Sequence, residues 1–241
     1  MKNTAIILSV FSLLSVCSCQ KIIKFSEKEW EIARGLAQYY RGEVSLGKKV
    51  FYSSSSDVPE MDFRITLKCE DLKKYYAEPE APASFCVWQF FTQLPENEKN
   101  AIKKYIVEIP FDSKLQVVEY DPAVLQRVFD AKYMLDSVSG YFIKGDYSEM
   151  KSRCRADLQK EKSLPNFLEF AQKADVERGK TKSIEIRGFQ YYEVREDSES
   201  AFLPYLVEFH VLQQRDSTHN RLSIRIDPFS QDGFITGLSI R

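Results

Sequence analysis

Five cysteines and two histidines carry much of the chemistry open to this 241-residue chain. Cys17 and Cys19 sit close together near the start, and Cys69, Cys86 and Cys154 are scattered further on. A cysteine can be alkylated, paired or bound to a metal. After the first residues there is no Cys-x-x-Cys, and the only imidazoles are His210 and His219, so no zinc-ligand spacing is present and neither a metal nor another cofactor is expected. Glu208 and His210 alternate with apolar residues, which would put an acid–base pair on one face of a strand. Asp146, Tyr191 and Tyr192 are the other groups that could line a pocket. Each has a plainer use as well: Asp146 as a helix N-cap, one of the adjacent tyrosines as core, and Glu208 with His210 as a solvated sheet face. His219 lies in a polar turn and reads as surface. There is no Gly-x-Ser-x-Gly and no Gly-rich phosphate loop, the nine glycines occurring singly, so no catalytic residue is assigned.

The thiols near the start have a clearer context. Lys2 precedes an uncharged apolar run, Ala5 to Val16, which ends in Cys17-Ser18-Cys19 and a polar Gln20-Lys21. This is the order of a secretory signal, and the run is shorter than the roughly 20 apolar residues a spanning helix needs. Its end resembles the lipobox of bacterial lipoproteins, an aliphatic residue at −3 and a small residue at −1 before the cysteine. Cys19 has Val16 and Ser18 there, whereas Cys17 is preceded by the bulky Val16. Cys17 at −2 departs from the family pattern. The resemblance implies a signal peptide over residues 1–18, a lipidated N-terminus over 19–25, and a diacylglycerol thioether on Cys19, usually joined by a further acyl chain. Two or more chains give a stable membrane anchor. Gln20-Lys21-Ile22 brings no acidic run after the anchor, which favours an exported protein held in the outer membrane and facing the periplasm. In that oxidising compartment Cys69 and Cys86 could form a disulfide if the fold brings them together; otherwise the three remaining thiols read as small buried apolar residues. The formal charge of −1 is close to neutral, and cleavage of the leader removes Lys2 and no acid, so nothing suggests nucleic acid as a partner.

The body must position any such site. Ser26 and Glu29 have capping-box spacing, and Trp30, Ala33, Leu36, Ala37 and Tyr40 follow at helical intervals toward a stop at Gly42. Leu46 to Tyr52 and Met61 to Cys69 read as strands around a Ser-rich turn, the second with strict alternation. Phe85, Trp88 and Phe91 predict the buried stripe of a helix ending at Gln93. A short helix over Glu96 to Lys103 and strands near Tyr105 to Ile109 and Val117 to Tyr120 follow. Asp121-Pro122 opens the longest helix, expected to stop at Gly140. Two shorter helices lead to four strands from Thr181, with Gly188 marking a bulge. In the last strand Phe234, Thr236, Leu238 and Ile240 share one face.

Helices before strands make the chain α+β. From about residue 121, the long helix, Tyr141-x-x-x-Gly145-Asp146-Tyr147 and a meander closing on Gly233-Phe234-Ile235-Thr236-Gly237-Leu238 resemble the cystatin-like, or nuclear-transport-factor-2-like, superfamily. That resemblance implies a cone of helices packed on a four-stranded antiparallel sheet, with a pocket at its wide end. The expected domains are a mixed helix and strand layer over 26–118 and the cone over 119–241. The functional expectation is a membrane-anchored envelope lipoprotein that binds an envelope protein or a small apolar ligand without catalysis. The alternatives are an enzyme of the cone superfamily with its pocket near Asp146 and His210, or a self-protection lipoprotein of the immunity type.

Overall fold

The computed structural model describes residues 24–51, 60–193, 205–230 and 233–240. Cys17, Cys19 and the Ser-rich turn expected before Met61 lie outside them. The first half comprises α1 (Glu27–Tyr40), β1 (Glu43–Phe51), β2 (Glu60–Lys68), α2 (Leu72–Tyr75), α3 (Glu80–Gln93), α4 (Glu96–Lys99), β3 (Ile102–Phe111) and β4 (Lys114–Tyr120). The second comprises α5 (Pro122–Lys144), α6 (Tyr147–Ser152), α7 (Ala156–Lys160), α8 (Ser163–Arg178), β5 (Ser183–Glu193), β6 (Tyr205–Gln214), β7 (His219–Ile226) and β8 (Ile235–Ile240). Among the described residues no helix is long and apolar enough to cross a membrane.

The fold is α+β with two four-stranded sheets, ordered β1-β2-β3-β4 and β5-β6-β7-β8. The first is more than a layer of mixed elements. β2 and β3 run parallel, joined through α2, α3 and α4, and antiparallel β1 and β4 flank them. The second is an antiparallel meander. Alternation in β2 works as the sequence predicts: Phe63, Ile65 and Leu67 are wholly buried, and each such burial contributes about 1.5–3 kcal/mol.

α1 starts on the expected capping box, with Ser26 Oγ accepting the Glu29 N–H at 3.1 Å and Glu29 Oε2 accepting the Ser26 N–H at 2.7 Å. The helix is rotated from the predicted stripe. Ile32 joins Ala33, Leu36 and Tyr40 inside, while Trp30 is exposed and meets Phe25 edge-on. Glu29 is also buried, because Lys48 of β1 reaches its carboxylate at 2.6 Å. α4 stops at Lys99, and Ile102 and Lys103, expected to be helical, open β3 instead.

α5 opens on Asp121, whose side chain accepts the Ala123 N–H. It does not stop at Gly140 but runs on to Lys144. Val138 and Phe142 keep the buried stripe going, and the left-handed cap falls on Gly145 at φ 73°. A glycine ends a helix only where the chain turns left-handed. In β8 the expected face is broken by a bulge opposite Arg225 and Ile226. Thr236 becomes the extra residue, and Ile235 rather than Phe234 pairs with Ile226 and is fully buried.

α3 is apolar nearly all round because it touches both sheets. Phe85, Trp88 and Phe91 are buried as predicted, and so are Cys86, Val87 and Phe90 on its other sides. It runs along the β5 edge. Trp88 and Tyr120 both meet Phe189 edge-on, and one cluster of buried side chains continues from Ile32 to Ile235. The 118/119 boundary of the sequence reading falls inside β4.

Candidate binding cleft

The cleft begins with an irregularity in β5. Ile186 pairs with Val211 and Gly188 with the next residue back, His210, so Arg187 is an extra residue with no partner across the ladder. Gly188 is required there. A Cβ would meet the Ala81 carbonyl oxygen at 2.7 Å and Ser84 Oγ at 2.9 Å. Glycine therefore lets the first turn of α3 seat against the strand, and the bulge turns Arg187 toward α1. Its guanidinium lies 4.8 Å from the Tyr39 ring centroid and 5.8 Å from that of Phe85.

The bulge also settles which residues share a face. Phe189 and Tyr191 pair with Phe209 and Val207 on the core side, which leaves Gln190, Tyr192, Glu208 and His210 on the opposite side. There, Tyr39, Tyr76, Ala77, Glu78 and Ala81 of the first half come up against Arg187, Gln190, Tyr192, His210, Leu212, His219 and Arg221 of the second. They enclose a cleft of about 780 Å³, within the size range of small-molecule sites. Arg221 lies 6.0 Å from the Tyr76 ring, and Tyr192 donates its hydroxyl to Gln190. A second, more charged hollow lined by Lys68, Asp71 and Asp112 shares Tyr39, Tyr76 and Arg221 with the first. Burial pushes the Tyr76 phenol well above its ordinary value, and the neighbouring Tyr39 adds to this, so it remains a neutral donor.

Glu208 and His210 are not a solvated face; both are buried. Burial alone would raise the Glu208 carboxyl, but hydrogen bonds from Arg225 and Ser223 outweigh it and hold the group below its usual range. Arg225 Nη2 donates to Glu208 Oε2 at 2.7 Å. His210 Nδ1 lies 3.1 Å from Ser223 Oγ and 3.9 Å from Glu208 Oε1. Hydroxyl and carboxylate thus approach the same ring nitrogen. In a serine–histidine–acid relay they must occupy opposite nitrogens, so this trio does not form one. It is a buried polar floor beneath the cleft.

The structure brings together three of the five predicted pocket residues: Tyr192 and His210 in the lining, and Glu208 beneath. Asp146 is elsewhere, accepting the Glu149 N–H as the N-cap of α6. Tyr191 is on the core side, accepting from Arg127 at 2.7 Å with its ring against Tyr205. His219 is exposed, as expected, yet borders the cleft. Sequence reasoning missed Tyr39, Tyr76, Arg187 and Arg221; the one local signal was an arginine beside the bulge-forming Gly188. Cys69 and Cys86 are free thiols rather than a disulfide. Cys69 Sγ donates to the Tyr40 carbonyl, while Cys86 is sealed in α3 with its thiol pushed up by burial. Among the described residues no cluster could hold a metal ion. Protein-family models, curated proteins and solved structures give no match to this chain.

Proposed function

We propose that this chain is a lipid-anchored envelope lipoprotein whose folded body binds a small ligand, without catalysis, in the cleft between Tyr39, Tyr76, Arg187 and His210. The anchor rests on Val16, Ser18 and Cys19. The body's first described residue, Lys24, follows Cys19 by five residues, which an extended chain spans in roughly 18 Å. The cleft would then work close to the membrane surface. The order of α5–α8 before a four-stranded meander supports the cone reading of the second half. The cleft nevertheless lies on the sheet face opposite the core, not in the cone's usual pocket.

The observation that carries the reading is the convergence of aromatic rings and guanidinium groups from both halves on one hollow of ligand size. Asp146 caps α6 and is not among the residues around His210 in the cleft, which argues against the enzyme alternative. Two measurements test the proposal. Mass spectrometry of the mature N-terminus from fractionated membranes should find a lipid on Cys19, and an unmodified Cys19 or a chain starting at Gln20 overturns the anchor. Fluorescence titration with N-phenyl-1-naphthylamine, a neutral two-ring probe, should saturate at one site per chain. It should weaken at least tenfold in the Tyr39→Ala/Tyr76→Ala double variant; unchanged affinity overturns the cleft.

A further inference from the structure

The chemistry of Arg187 narrows what the cleft would take. As the extra residue of the β5 bulge it has no neighbour across the ladder, and its guanidinium rests against the paired rings of Tyr39 and Phe85, 4.8 and 5.8 Å from their centroids. One nitrogen, Nη2, is bonded to Glu185. Glu185 is shared, because its other oxygen accepts from Gln214 Nε2. Nε of Arg187 is buried and has no hydrogen-bond partner among the described residues. A buried cationic donor without an acceptor is costly, and because the side chain lines the cleft, a shift of the guanidinium toward a ligand oxygen would satisfy it. Arg187 and Arg221 outnumber Glu78 in the lining, and Glu185, which pairs with Arg187, stands outside it. Tyr39, Tyr76 and Tyr192 supply faces for stacking.

Resting on the reading of the cleft as a ligand site, we infer that it selects planar organic anions: an aromatic or conjugated face against the tyrosines, and a carboxylate, sulfonate or phosphate oxygen on Arg187. Arg187 is the selectivity residue. A neutral ligand of the same shape loses the hydrogen bond to the guanidinium, and an inorganic anion loses the stacking.

The test pairs two probes with nearly the same rings: 1-anilinonaphthalene-8-sulfonate, which carries an anion, and N-phenyl-1-naphthylamine, which does not. The full chain should bind the sulfonate at least tenfold more tightly, as expected for one added hydrogen bond to a charged group. Arg187→Gln should bring the two affinities together, and an unchanged far-ultraviolet circular dichroism spectrum and melting temperature would show that the fold around the cleft is kept. Arg187→Lys, which keeps the charge without the planar fork, should restore part of the sulfonate's advantage. Benzoate should displace the sulfonate at concentrations where inorganic phosphate does not. Equal affinities for the two probes, an equal loss of both in Arg187→Gln, or displacement by phosphate as effective as by benzoate would each overturn the inference while leaving a ligand-binding cleft in place. Failure of both probes to bind the unaltered chain overturns the cleft itself.

Discussion

Ser84 Oγ, near the start of α3, accepts the backbone N–H of Phe189 in β5 at 2.8 Å. The two residues are 105 positions apart. This bond satisfies an edge-strand donor that would otherwise be buried without a partner, and it fixes the first half against the bulge that presents Arg187. Ser84→Ala should therefore cost about 1–3 kcal/mol, the penalty of an orphaned buried donor. Gly188→Ala should be at least as damaging, because its Cβ meets the backbone of Ala81. Urea denaturation of both variants measures this; losses under 0.5 kcal/mol would mean that the halves are not joined there.

Within the first half, the buried Glu29–Lys48 pair ties α1 to β1. Lys48 is almost as buried as Glu29 and lies over the rings of Phe25 and Phe63. Lys48→Met should destabilise the fold by about 3–5 kcal/mol, since it strands a buried carboxylate. Replacing both residues by apolar ones of similar size should recover much of that loss. A double-mutant cycle by chemical denaturation reads the coupling, and additive losses would contradict it.

Acid should reveal Glu208. Its carboxyl is held below the usual range in the folded protein, so the unfolded chain takes up the proton first as pH falls. The stabilisation is fully present above the unfolded value of about 4.3 and is lost as pH drops through the lower folded value. Glu208→Gln should lower the melting temperature at pH 6, and the gap to the unaltered protein should close toward pH 2.5. A gap independent of pH would show that Arg225 and Ser223 do not hold the carboxylate.

Thiol chemistry should follow access. Burial pushes the Cys154 thiol up to about 11 and Cys86 further still, while Cys69 is only half-buried. Iodoacetamide at pH 8 should label Cys69 first and leave Cys86 and Cys154 unmodified until denaturant is added. A Cys69–Cys86 peptide in a non-reducing digest would contradict the free thiols.

What was legible in the sequence was local. Ser26 and Glu29 mark the start of α1, the alternation from Phe63 to Leu67 marks β2, and Gly188 marks a bulge, because each pattern reflects the backbone geometry of its own segment. The end of α5 was misplaced because Gly140 and Gly145 look alike in sequence, and only the continuing burial of Phe142 distinguishes them. The cleft was half legible. Tyr192 and His210 lie on strands with a readable phase. Tyr39 and Tyr76 reach them only because α3 packs along β5, a relationship that no local spacing encodes.

A ligand in the cleft must perturb the amides that line it. Titrating isotopically labelled protein with N-phenyl-1-naphthylamine and following backbone amide signals by NMR tests this most directly. The largest shifts should cluster at Tyr39, Tyr76, Arg187, Tyr192 and His210, on the face of the β5–β8 sheet opposite the core. Shifts concentrated around Asp146 and Tyr191, or spread without focus over the surface, would contradict the account.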